Sequence, residues 1–235
     1  PFEEAEILGA IKEEKKETLN VLSLFSGCGG MDLGFEGGFS VLQKSINEIL
    51  TPHFIEKKEK NGFVQLKKTK FKTVFANDIL TDARNAWVNH FSKKGHNAED
   101  FYKESIVDLV KMYRNGVNVF PEEVDVVTGG FPCQDYSVAK NLSASNGLEG
   151  KKGVLWWSIY DILVKQGENA PKYLLLENVD RLISSPAKQR GRDFAVILSS
   201  LNGLGYTVEW RIVNAGEYGF PQRRRRTFIL GYKNG

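Results

Sequence analysis

A cysteine directly follows a proline in Gly129-Gly130-Phe131-Pro132-Cys133-Gln134-Asp135-Tyr136-Ser137, just past an apolar run. The proline stiffens the turn, and a thiolate presented there to a cleft would be a nucleophile. An ordinary structural cysteine is the other reading of the stretch. A second unusual stretch, Phe25-Ser26-Gly27-Cys28-Gly29-Gly30, follows a strand and opens a helix. Glycines there let the backbone turn sharply and approach a ligand closely. The dinucleotide pattern G-x-G-x-x-G would need glycine at position 32, where Asp32 stands, so NAD is disfavoured. Asp78 ends another strand, where an acidic side chain either accepts hydrogen bonds from both ribose hydroxyls or caps the following helix. Phe25 would stack on an adenine face or fill the core, and Cys28 reads as a small buried residue without chemistry. Glu177 and Asn178 end a further buried strand. Finally, Gln222-Arg223-Arg224-Arg225-Arg226 leads into the apolar Thr227-Phe228-Ile229-Leu230. Strand alternation would place Arg224 and Arg226 on one face and Arg223 and Arg225 on the other.

The elements that must hold these residues are legible as alternating strands and helices. Asn20–Phe25, Phe71–Ala76, Val124–Val127, Tyr173–Leu176, Tyr206–Val213 and Thr227–Tyr232 read as strands. Met31–Glu36, Ala83–Phe91, Val154–Val164 and Phe194–Leu201 read as helical, and residues 7–17 could form a helix in an N-terminal extension, 1–18. Residues 43–70, with Glu56-Lys57-Lys58-Glu59-Lys60 and Lys67-Lys68-Thr69-Lys70, read as an insertion whose charge is solvated surface. Such alternation predicts an α/β fold, a doubly wound, mostly parallel sheet spanning 19–235. In such sheets ligands bind beyond the carboxyl ends of the strands. Ser26–Gly30, Asp78, Gly129–Ser137 and Glu177–Asn178 all fall there, which joins them into one site.

Composition sets bounds rather than a function. The 235 residues suffice for one α/β domain, and 41% are hydrophobic, which argues against disorder. A net charge of +3 is too small by itself to argue for nucleic acid. Two cysteines are too few for a disulfide framework and fit a reducing compartment. No apolar run approaches the roughly 18 residues of a membrane span, and Pro1–Thr18 lacks the apolar core of a secretory signal. A reducing, cytosolic setting is expected.

Pro132-Cys133-Gln134, Glu177-Asn178-Val179 and Gln222-Arg223-Arg224-Arg225-Arg226, in this order after the glycine loop, resemble the DNA cytosine-5 methyltransferases. The resemblance runs from about Leu19 to Tyr232. It implies a Rossmann-like fold using S-adenosylmethionine, with S-adenosylhomocysteine as product and no metal. It implies that Cys133 adds to carbon 6 of a cytosine flipped out of double-stranded DNA. Glu177, kept protonated by burial, would donate to cytosine N3, and Arg224 and Arg226 would face the site, Arg226 at cytosine O2. The cofactor would lie against Phe25, Ser26, Gly27, Gly29, Gly30, Asp78, Ile79, Ser105, Pro132 and Leu155. Gln134, Ser137, Asn178 and Gln222 would bind or support the substrate, Asn178 by fixing the backbone around Pro132. The loop after Cys133, to about Lys152, would close over the base.

Two positions depart from the pattern: Ser23 stands where the family often carries an acidic residue, and Ser105 where it usually carries Asp. The family would also continue beyond Gly235 with a target-recognition domain and a last segment beside the glycine loop. A truncated chain, a missing part or one subunit of a split enzyme each accounts for this, and little sequence-specific activity is expected of the chain alone. A transfer RNA cytosine methyltransferase and a non-catalytic scaffold of the same fold are the competing readings.

Overall fold

Val21, Leu22, Ser23 and Leu24 are essentially inaccessible to solvent, as befits a strand covered on both faces. The computed structural model describes residues 16–46, 48–49, 52–132, 154–185, 189–218 and 220–233. These four residues belong to β1 (Leu19–Leu24), inside a seven-stranded sheet. Four further elements follow: α1 (Gly30–Glu36), and then the short strands β2 (Ser40–Leu42), β3 (Ile55–Lys58) and β4 (Phe63–Leu66). The chain rejoins the large sheet at β5 (Phe71–Asn77), followed by α2 (Thr81–Phe91) and β6 (Phe101–Tyr102). Next come α3 (Ile106–Arg114), β7 (Val126–Gly129), α4 (Val154–Gln166) and β8 (Tyr173–Val179). The described chain ends with α5 (Arg192–Gly203), β9 (Tyr206–Asn214) and β10 (Arg225–Lys233).

The large sheet runs β6-β5-β1-β7-β8-β10-β9, parallel throughout except β10, which is antiparallel to both its neighbours. From β1 the chain winds first toward β5 and β6, then returns to the other side of β1 to lay down β7 and β8. The topological switch point therefore lies between β1 and β7, where a crevice opens at the carboxyl ends of the strands. Helices cover both faces. Leu22, Leu24, Phe75, Val127, Leu174, Leu176 and Ile229 pack with residues of α3, α4 and α5. Ala76 packs on the opposite side with Trp87 and Phe91 of α2 and with Leu33 of α1. This is the doubly wound, mostly parallel arrangement that the alternation predicts.

Two elements differ from the sequence reading. The reading assigns nothing to Ile106–Arg114, yet Ile106, Leu109 and Val110 recur at helical spacing and are buried in α3. Residues 40–66 fold as a separate antiparallel sheet, β2-β4-β3, with Val64 fully buried while Glu56, Lys57 and Lys58 are exposed. A bridge between Gly37 and Lys68 ties this sheet to the end of α1. The helix expected over 7–17 lies outside the described residues apart from Lys16 and Glu17, which are not helical; Lys16 Nζ pairs with Asp125 at 2.9 Å. Among the described residues no helix is long and apolar enough to cross a membrane.

Candidate active site

Beyond β1 the chain reverses within a few residues. Phe25 adopts φ +54°, a left-handed conformation costly for a bulky side chain, and Gly27 and Gly29 lie at +55° and +87°. Gly29 N–H donates to Ser26 O at 2.9 Å, and Leu33 N–H to Gly29 O at 2.8 Å, so the turn flows directly into α1. The turn is tied to the neighbouring strand end twice. Ser26 N–H donates to Asn77 O, and Asn77 N–H donates to Ser26 Oγ at 3.0 Å. Asp78 completes the join: its Oδ2 accepts from Gly27 N–H at 3.1 Å and its Oδ1 from Leu80 N–H at 3.0 Å. One carboxylate thus anchors both the loop and the chain leading into α2, without making a side-chain cap to that helix. Ile79 beside it is 65% exposed. A Cβ on Gly27 would meet nothing within 4 Å, so this face of the turn is open.

Asn77 reaches in the other direction. Its Nδ2 donates to Tyr102 O at 2.9 Å and Glu104 O at 2.8 Å, fixing the backbone just before Ser105, the residue that starts α3. The Ser105 hydroxyl makes no cap to that helix and is half-buried.

On the far side of the switch point, β8 presents Glu177 and Asn178 to opposite faces. Asn178 is buried; its Nδ2 donates to Phe131 O at 2.9 Å and its Oδ1 accepts from Val179 N–H at 2.8 Å. The carbonyl it holds belongs to the peptide that precedes Pro132, the geometry expected of a residue that orients that proline. Phe131 itself is buried against Trp156.

Glu177 sits on the same face of the sheet as Arg226, two residues along the antiparallel β8–β10 ladder. Arg226 Nε lies 2.7 Å from Glu177 Oε1, with side chains 23% and 20% exposed respectively. The sequence reading places Glu177 in apolar surroundings that would neutralise it. The structure instead places it against a guanidinium at the rim of the sheet. Arg225 turns the other way, 3.5 Å from Asp180. Arg224 is exposed and precedes the strand, which begins at Arg225, so strand alternation alone does not fix its face; it lines the same groove as Arg226. Asp180, Gln222 and Arg223–Arg226 line a shallow open groove.

The structure therefore gathers most of the sequence-predicted residues along one edge. The glycine turn, Asp78, Ile79, Ser105, Pro132, Glu177, Asn178 and Arg226 stand at or just beyond the ends of β5, β1, β7, β8 and the start of β10. Leu155, in the first turn of α4, is half-buried against the main core. Cys133, Gln134, Ser137 and the loop to Lys152 lie outside the described residues. Cys28 overturns its expectation: it is an exposed, free thiol, because the turn that buries Gly29 points residue 28 outward. The sequence reading missed Asn77, although its place beside Asp78 at the strand end was a usable signal.

A doubly wound sheet with a glycine turn after β1 and an acidic residue after the neighbouring strand defines a Rossmann-like class of fold, and solved structures share it. The S. pombe Dnmt2 methyltransferase superposes with TM-score 0.56 at 19% identity, covering 93% of this chain and 50% of that one. A putative DNA modification methyltransferase encoded within an E. coli prophage gives 0.54 at 20%, covering 92% and 47%. These likenesses concern the fold. The family is shown by sequence: the profile described as C-5 cytosine-specific DNA methylase matches residues 60–235, and the chain belongs to that family. Type II methyltransferase M.Sau3AI of Staphylococcus aureus is 41% identical over 223 residues, 92% of this chain and 43% of that protein. Type II methyltransferase M.NmeDI of Neisseria meningitidis serogroup C is 32% identical over 228 residues, 95% and 46%. The chain spans less than half the length of these relatives.

Proposed function

We propose that this chain carries the catalytic centre of a DNA cytosine-5 methyltransferase, moving a methyl group from S-adenosylmethionine to carbon 5 of a cytosine flipped out of double-stranded DNA. The observation that carries the reading is the pairing of Glu177 with Arg226 across the β8–β10 ladder, on the same sheet edge as the glycine turn. The matched family and the Type II relatives support it, and support a bacterial restriction–modification setting.

The residues at the glycine turn fit the cofactor. The open face at Gly27, the Asp78 carboxylate and the exposed Ile79 offer close backbone approach, ribose hydrogen bonding and an apolar surface for adenine. Phe25, Ser26, Gly29, Gly30, Ser105, Pro132 and Leu155 complete the proposed lining. When bound, S-adenosylmethionine supplies an electrophilic methyl group.

Carbon 5 of cytosine is a poor nucleophile, so the protein must activate it. The Cys133 thiolate adds to carbon 6, forming an S–C bond and shifting electron density to carbon 5 and N3. In this scheme Glu177 leaves its 2.7 Å pairing with Arg226, takes up a proton as the base enters, donates it to N3 and accepts from the exocyclic amine, which selects cytosine over uracil. Arg226 donates to O2, where charge develops, and Arg224 faces the same substrate. Once carbon 5 is methylated, loss of its proton and elimination of the thiolate restore the aromatic ring. Asn178 positions the turn into Cys133 through Phe131, Gln134 and Ser137 meet the flipped nucleotide, and Gln222 supports the arginine segment. Extruding the base is required because these groups cannot reach a stacked cytosine.

A trapping assay tests the whole scheme. A random-sequence duplex with 5-fluorocytosine in place of cytosine cannot lose the substituent at carbon 5. Incubated with the chain and S-adenosylmethionine, it should give a denaturation-resistant protein–DNA adduct that is absent with Cys133→Ser. Methylation without any adduct, or an adduct that survives Cys133→Ser, would exclude Cys133 as the nucleophile.

A further inference from the structure

Asp32 is a carboxylate with 1% exposure, an expensive group to bury without a task. It lies in the first turn of α1, three residues after Gly29. Its Oδ2 accepts the indole N–H of Trp87 at 2.7 Å, and Trp87 is itself fully buried on α2. Oδ1 has no hydrogen-bond partner among the described residues. Trp87 is also the floor of the glycine turn: a Cβ on Gly29 would sit 2.6 Å from Trp87 Cδ1 and 2.5 Å from Phe91 Cε2. Phe91 stacks on Trp87 with centroids 4.6 Å apart, so the two rings form one slab beneath Gly29. On the other side of Asp32, Ser23 is a polar neighbour whose Oγ lies 2.9 Å from Ser26 Oγ. The Ser26 hydroxyl in turn receives Asn77 N–H. Asp32 and Trp87 thus support the Gly29 end of the turn, while Ser23 and Asn77 hold its Ser26 end.

We propose that Asp32 and Trp87 are positioning residues for S-adenosylmethionine, the Asp32–Trp87 hydrogen bond locking the aromatic slab on which Gly29 rests and so fixing the shape of the cofactor turn. Neither side chain touches the cofactor face; both act through Gly29. The fixed indole blocks any side chain at position 29 and prevents the turn from sinking toward α2. Without the hydrogen bond, either the indole N–H or the carboxylate is left buried and unpaired, and the slab shifts to relieve it. The inference rests on the cofactor reading of the glycine turn and extends it to two residues outside the pocket.

Calorimetric titration of the full chain with S-adenosylmethionine tests it, with circular dichroism confirming that each variant is folded. Asp32→Ala and Trp87→Phe should each weaken binding by about tenfold or more, the range expected when a buried partner is orphaned. Asp32→Asn, which keeps an acceptor for the indole, should stay within about threefold of the parent chain. Asp32→Ala combined with Trp87→Phe should cost no more than either alone, since one bond is removed in all three. A general structural weakening would instead add in the double variant and would not spare Asp32→Asn. Unchanged affinity in a folded Asp32→Ala chain would overturn the inference, as would additive losses. If Asp32→Ala does not fold, unchanged affinity in Trp87→Phe, which keeps an aromatic ring in place, overturns it alone. Failure of the parent chain to bind S-adenosylmethionine would overturn the cofactor reading and this inference together.

Discussion

Glu177 and Arg226 illustrate how one pair of residues can serve both folding and chemistry. Their contact closes the rim of the β8–β10 ladder, and the same two groups present a carboxyl and a guanidinium to one small space. Glu177→Gln keeps the size and most of the hydrogen bonding but cannot deliver a proton to N3. Single-turnover methylation by this variant is expected to slow by about 100-fold or more, the scale of general acid catalysis, with S-adenosylmethionine affinity unchanged. Asp32 gives a second expectation at this scale, in stability. Burial raises its carboxyl to about 6, against the opposing pull of Ser23 and Trp87, with Glu36 adding to the rise. The folded chain therefore holds this proton to higher pH than the unfolded chain does. Its contribution to stability is fully present below the unfolded value of 3.8 and is lost as pH rises through about 6, by about 3 kcal/mol over the whole range. In Asp32→Asn that fall is absent, so urea unfolding of the two chains between pH 4 and 7 should diverge in favour of the variant as pH increases. Parallel curves would show that Asp32 does not titrate in that window.

At the scale of elements, the turn after β1 separates two demands that glycine meets. Gly29 needs a left-handed conformation and also lacks room, since its Cβ would collide with Phe91 and Trp87. Gly27 needs only the conformation, at φ +55° with open space around it. Gly29→Ala should accordingly lower stability by more than the roughly 1–2 kcal/mol of left-handed strain, while Gly27→Ala should cost only about that strain. Cofactor affinity should follow the opposite logic: Gly27→Ala puts a methyl on the face proposed for S-adenosylmethionine and should weaken binding more than its change in melting temperature explains. Thermal unfolding and calorimetry on both variants check the contrast. The strands and most helices around this turn were legible because apolar residues recur at the period of each element. The short strands of the β2-β4-β3 sheet were not, because three or four residues are too few to show a period, and the Lys and Glu of β3 and its neighbours read as solvated surface. The Asn178 hydrogen bond to Phe131 O spans 47 residues, so its role as a backbone anchor was an expectation from the family resemblance and not from a local signal. The surroundings of Glu177 were misread because they depend on β10, about fifty residues later, pairing beside β8. The Asp32–Trp87 bond spans 55 residues and left no local signal at all. Alternation alone does not settle the face of Arg224, which lies one residue before the strand that would enforce it.

The large sheet sets the distance between the edge bearing the candidate site and the small β2-β4-β3 sheet. The glycine turn joins the carboxyl end of β1 to that of β5, whereas the bridge from Gly37 to Lys68 lies just before β5 begins. A seven-residue strand spans roughly 20 Å, so the lysine-rich β2-β4-β3 sheet is held that far from the edge bearing Asp78, Glu177 and Arg226. Duplex DNA engaged by a flipped base at one edge would meet the arginine groove of Gln222–Arg226 and not the small sheet at the other. Phosphate contacts govern the salt dependence of affinity, each adding close to one unit to its slope. Arg223→Ala is therefore expected to weaken DNA binding across sequences and to reduce that slope by about one. Lys57→Glu with Lys60→Glu, exposed charges on the small sheet, should change neither affinity nor slope despite a larger change in net charge. Fluorescence anisotropy on a single duplex over a range of salt concentrations measures both quantities. A loss of slope in the lysine variant equal to that in Arg223→Ala would mean that the duplex reaches both edges, and the base-flipping geometry proposed for this edge would have to be redrawn around it.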